Sequence, residues 1–215
     1  MRNSWMVPLT GLAFLILVIV GFAIGGEPPD ATDDPIGEIV DFYVENDSSV
    51  MFGAVLTGVA GTLFVFFGGY LRSVLRRAEG EGGVLSAVAF GGTIIFAVGI
   101  AIDSTISFAL AEGADEIDPT AVHALAILWQ NDFIPLAMGV QVFVLATGIS
   151  VVRNKVLPGW LGWILILLGV AAMTPVGFFA FLASGLLIGV MSVMLAMRER
   201  GAQPPAASAP GSGAP

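Results

Sequence analysis

Two carboxylates in otherwise apolar surroundings, Asp103 and Asp132, are the residues of this chain best suited to chemistry. Asp103 falls within an expected membrane-spanning helix and Asp132 at the start of one, and an ionisable group at membrane depth marks a binding site, an ion path or a proton relay. Ser107 follows Asp103 by one helical turn and lies on the same face. Gln141 and the single histidine, His123, complete the candidate polar set. Asp103 and Asp132 would form the one acid–base couple available to an intramembrane enzyme, yet no fixed spacing links them. A lone histidine excludes every metal or haem site that needs two imidazoles from one chain. The absence of cysteine removes disulfides, thiolate metal sites and a thiol nucleophile. No HExxH, GxSxG or GxxxxGK[ST] pattern occurs. The expectation is a non-enzymatic protein without cofactor or resident metal. Its partner is the lipid bilayer and not nucleic acid, and a homo-oligomer is left open.

The elements that must position these residues follow from composition. Hydrophobic residues make up 56% and charged residues 12% of the 215, against about 25% charged in a soluble domain. The mean hydropathy is +0.92. An all-α, polytopic transmembrane bundle of six spans is expected, with short helices on its outer surface. The spans cover about 6–24, 50–71, 83–112, 119–152 (membrane part 133–152), 156–174 and 176–197. The last two come from one uncharged stretch, Val156 to Met197, which as a single helix would be about twice as long as the hydrocarbon core is thick. Pro175 is its natural break, because proline lacks a donor and disfavours helix at the preceding residue. The segment from Gly201, "GAQPPAASAPGSGAP", lacks apolar bulk and is expected to be a disordered cytoplasmic tail over 201–215.

Charge sets the expected orientation. Arg2, Arg72, Arg76, Arg77, Arg153, Lys155, Arg198 and Arg200 all fall on one side of this arrangement. The opposite loops carry a dozen acidic residues, from Glu27 to Asp47 and from Glu112 to Asp118, and no base. By the positive-inside rule the protein is multi-pass in the cell membrane with both termini cytoplasmic. Trp5, Tyr70, Trp160 and Trp163 then mark the inner interface, and Tyr43 and Trp129 the outer one. A cleaved signal peptide is the alternative for span one, since "FAIGGE" offers small residues behind an apolar run, and cleavage would leave the other orientations unchanged.

Two stretches repeat a pattern. "DPIGEIVDFYVEND" (34–47) and "DPTAVHALAILWQND" (118–132) both open on Asp-Pro, an N-cap and first-turn pair, and both close on Asn-Asp before a span that ends in arginine. The register reads as a weak duplication of span, outer helix and span. It makes Asp132 the cap that opens the fourth span at headgroup level, with Pro135 in the first turn where its missing N–H costs nothing. A continuous helix with Asp132 facing an internal cavity is the alternative. Asp103 lies about 14 Å below the outer end of its helix and shares a face with Gly92, Gly99 and Ser107, so it should face protein rather than lipid. It is read either as a carboxylate hydrated from the outer loop or as an intramembrane site. His123 and Gln141 would share a face only if no break intervened.

The N-terminal span, the acidic "DP" helix, "GGYLRSVLRR", "DFIPLAMG" and "RNKVLPGWLGWILILLGV" together resemble a bacterial family of small six-span membrane proteins catalogued as a domain of unknown function. The resemblance implies topology over roughly Met6 to Arg198 and no activity. The first functional expectation is a structural or regulatory component of the cell envelope. The alternative is a small-solute or ion permease that uses Asp103.

Overall fold

A computed structural model describes residues 4–201 except 173 and 175. Helix is the one regular structure among them. A 3-10 turn (Ser4–Met6) precedes α1 (Thr10–Gly25), α2 (Ile36–Glu45), α3 (Asp47–Glu79), α4 (Val84–Gly113), α5 (Pro119–Gln130), α6 (Phe133–Asn154), α7 (Gly159–Ala171) and α8 (Gly177–Gly201). Four stretches are long and apolar enough to cross a bilayer: Asp47–Glu79, Val84–Gly113, Pro119–Asn154 and Gly177–Gly201. This is the architecture of a multi-pass membrane bundle. The expected first and fifth spans appear as shorter apolar helices of 16 and 13 residues. Prolines account for the trimming. Pro8 holds the start of α1 back to Thr10, and Pro158, extended at ψ 133, holds α7 back to Gly159.

Other boundaries also move. The second span was expected to end at residue 71, but α3 continues to Glu79 and carries Arg72, Arg76 and Arg77 on its last turns, where cations suit the helix C-terminus. Pro175, the expected break, lies outside the described residues, within the segment 172–176 that separates α7 from α8. The expected tail also lies outside them beyond Gly201, which itself closes α8.

Glycine sets the closest helix crossings. A Cβ on Gly53 of α3 would stand 2.6 Å from the Gly21 carbonyl of α1, and one on Gly92 of α4 would stand 2.5 Å from the Phe143 amide of α6. Backbone contact of this kind is what small residues permit where lipid gives helices no hydrophobic drive to associate. Above and below these crossings the core is aromatic. Phe64, fully buried, packs on Phe14, Phe96, Phe143 and Phe67 with ring centroids 4.6, 5.2, 5.3 and 6.2 Å away.

The two ends differ. At the basic end Glu79 accepts from the Ser150 hydroxyl (2.7 Å) and the Ser86 amide (3.1 Å), which joins α3, α4 and α6. Tyr70 donates to Glu199 at 2.9 Å, and the Arg200 guanidinium lies 4.0 Å from the Trp5 ring. At the acidic end α2, α5 and the loop before α2 form a cap with its own small core of Ala31, Ile39, Tyr43, Val50, Leu110, Ala111, Ala114, Val122 and Ala126.

Candidate functional site

The cap is held by side chains from α5. Gln130 uses both halves of its amide, donating to the Pro29 carbonyl and accepting from the Ala31 amide, each at 3.1 Å. His123 Nε2 lies 2.6 Å from the Ala31 carbonyl, a contact that requires the Nε2–H tautomer. His123 is therefore a strut of the cap. Gln141 lies elsewhere, donating at 3.1 Å to the Gly169 carbonyl and so pinning α6 to α7. Neither joins the carboxylates.

The Asp-Pro starts behave unequally. Asp118 caps α5 as the sequence requires, accepting the Thr120 amide at 2.8 Å, with Pro119 in the first turn. The Thr120 side chain, followed by its amide, holds the Asp118 carboxyl below the usual carboxylate range. In the first Asp-Pro segment Pro35 itself takes the N-cap position, and Asp34 instead accepts the Asp30 amide at 2.7 Å. Asp132 occupies the N-cap position of α6 between α5 and α6, so the expected break is present. Its side chain makes no capping bond, however, and its Oδ2 is buried without a hydrogen-bond partner. The φ/ψ of −82° and 9° departs from the extended backbone that lets an N-cap side chain reach back.

Asp103 is 8% exposed and so faces protein, as its shared face with Gly92, Gly99 and Ser107 requires. It faces a chamber of about 40 Å³ beneath the cap. Gly21 and Phe22 of α1, Phe42 and Tyr43 of α2, Thr57 of α3, Ser107 of α4 and Trp129 of α5 contribute to its wall. Asp132 is close enough for its charge to be felt at Asp103, and the Trp129 indole N–H lies beside the Asp103 carboxyl without closing a hydrogen bond. The Tyr43 hydroxyl is pushed up to about 12, first by burial and then by the Asp103 charge. It is therefore a neutral phenol at any physiological pH.

Two hydroxyls in the wall have their hydrogens committed. Ser107 donates to the Asp103 carbonyl at 3.0 Å and Thr57 to the Gly53 carbonyl at 2.9 Å. Their remaining lone pairs are acceptors. No Lys or Arg lies in any element that lines the chamber except on the distant basic turns of α3. The chamber thus combines a buried carboxylate, two acceptor hydroxyls, aromatic side chains and the neutral donors of Tyr43 and Trp129. Among the described residues no three acidic or histidine side chains assemble as a metal-ligand set.

Asp103 and Ser107 are thus brought together, with Asp132 nearby; His123 and Gln141 are not. Thr57 and Phe42 were not singled out in the sequence, and Tyr43 and Trp129, expected at the outer interface, line the chamber instead; these two share a signal, each standing about one turn before a closing Asn-Asp. Comparison with protein-family models, curated proteins and solved structures returns no match. The resemblance to a six-span family therefore rests on the quoted segments.

Proposed function

We propose that the protein is a non-enzymatic, non-conducting component of the cell membrane that acts in regulation through its acidic cap and the chamber beneath it. In this reading α1 and α7 complete six spans, with local thinning of the bilayer accommodating their length. The acidic cap faces outward and both termini face the cytoplasm, as the one-sided basic residues favour. The observation that carries it is the aromatic core. Phe96 lies seven residues below Asp103 on α4, about 10 Å along the helix. At that level Phe14, Phe64, Phe67 and Phe143, none more than 3% exposed, fill the bundle from three other helices. A buried aromatic layer between the chamber and the basic end supports a bundle that does not conduct.

The permease reading has one observation in its favour, the burial of Asp103 with no basic partner, which is common in transport sites. It requires a second conformation that parts the phenylalanines. Reconstituted vesicles decide between the two. Imposed pH, sodium, potassium and ammonium gradients should decay at the rate of protein-free vesicles. Decay that is faster with the protein and restored to the protein-free rate by Asp103→Asn would establish the permease instead. Orientation is checked by reporters, which should place Glu38 and Asp115 outside and Arg76 and Lys155 inside.

A further inference from the structure

A buried carboxylate normally finds a cation, a set of donors or a proton. The chamber offers Asp103 only neutral donors, the Trp129 indole, which stops short of a closed bond, and the Tyr43 phenol. Two hydroxyls of the wall are left to receive hydrogen bonds. The Ser107 and Thr57 hydroxyls have spent their hydrogens on the carbonyls one turn back, so the oxygen lone pairs are what they present. Phe22, Phe42, Tyr43 and Trp129 supply aromatic rings, whose faces attract cations electrostatically.

These features select a ligand by chemistry. It must be positive, to answer Asp103. It must donate several hydrogen bonds, because the wall supplies acceptors. It must also tolerate aromatic neighbours, which an alkali ion stripped of water does less well than a polyatomic cation. The volume of about 40 Å³ accommodates roughly three water-sized centres at about 10–15 Å³ each, so the ligand is small. Delivery is favoured as well, since the loops around the cap are acidic and without a base, a field that concentrates cations at the entrance.

We infer that the Asp103 chamber is a binding site for a small ammonium-type cation, ammonium or methylammonium. The cation is held by the Asp103 carboxylate, the Ser107 and Thr57 oxygens and the surrounding aromatic rings. This deepens the regulatory reading, on which it rests for its biological consequence. Binding is measured without flux, so either idea can fail alone.

The experiment uses the full chain in lipid nanodiscs at pH 7, with Trp5, Trp160 and Trp163 changed to Phe so that Trp129 is the remaining tryptophan. Methylammonium chloride is the probe and indole emission the readout, with sodium chloride, potassium chloride and tetraethylammonium chloride as comparators at matched ionic strength. A saturable change with methylammonium is expected, at least tenfold weaker with the alkali ions and absent with tetraethylammonium. Asp103→Asn should weaken it at least tenfold. Thr57→Val, which keeps the shape and removes an acceptor, should weaken it severalfold while leaving the melting temperature near that of the parent. The inference is overturned if methylammonium gives no saturable change, if an alkali ion binds as well, or if affinity survives Asp103→Asn. Should Asp103→Asn fail to fold, an unchanged affinity in Thr57→Val overturns it equally.

Discussion

Replacing Phe64 by alanine tests whether the aromatic layer is a packed structural element. The ring is fully buried and meets four others at 4.6 to 6.2 Å. In a soluble core Phe→Ala costs about 3–5 kcal/mol, part of it from transfer out of water. That part shrinks in a bilayer, where the unfolded reference already keeps the side chain among acyl chains. What remains is lost dispersion and the aromatic pairs, each worth about 0.5–1.5 kcal/mol beyond area burial. The expected loss is about 2–4 kcal/mol. Phe66 provides the control, being on the same helix but 61% exposed toward lipid; Phe66→Ala should change stability by less than about 0.5 kcal/mol. Reversible unfolding in bicelles by titration with a denaturing detergent measures both. A loss below about 1 kcal/mol for Phe64→Ala, or equal losses at the two sites, refutes the packed layer and with it the seal below Asp103.

Three further outcomes are expected. Gly92→Ala should destabilise by about 1–3 kcal/mol by driving a Cβ into the Phe143 backbone, whereas its neighbour Gly91, open to lipid, should gain from alanine's helix propensity; the same detergent titration compares them. Gln130→Ala removes both amide bonds to the loop before α2, and hydrogen exchange at Ala31 should accelerate while amides in α3 and α4 stay protected. With Tyr70 changed to Phe, Tyr43 is the remaining tyrosine, and its absorbance should titrate near 12. Because the folded value is raised, Tyr43 contributes stability that is full below its unfolded value of about 10 and is lost as pH rises from there through 12. Titration of folded protein near 10 would mean that the ring is not buried against the cap.

The legible part of this fold is what a one-dimensional pattern encodes. Runs of apolar residues and the one-sided placement of Arg and Lys give the bundle and its polarity, and Asp118-Pro119 gives the start of α5 to the residue. Proline effects on neighbours were less legible, which is why α1 and α7 begin late. The break at Asp132 is encoded in "QND", but the burial of its Oδ2 depends on surrounding structure and has no local sequence mark. Glu79 shows the same limit. In sequence it is an acid among arginines, and only the meeting of α3, α4 and α6 makes it the acceptor for Ser150 and Ser86.

The site occupies the junction between two units that share an order of apolar helix, cap helix and long apolar helix, residues 10–79 and 84–154. Each unit brings its two apolar helices together through glycine, Gly21 against Gly53 in the first and Gly92 near Gly139 and Phe143 in the second. Each cap helix sets an aromatic residue about one turn before its closing Asn-Asp, Tyr43 and Trp129, and both reach the same chamber. The units differ where chemistry would lie. The first contributes glycines and Thr57 on α1 and α3, and the second contributes Asp103 and Ser107 on α4. Small residues on one side make room for a charge on the other. A symmetric junction would either bury a pair of facing carboxylates or leave an apolar gap, so the difference between the two units is itself what creates a chamber with one deeply buried carboxylate beside the Ser107 and Thr57 oxygens.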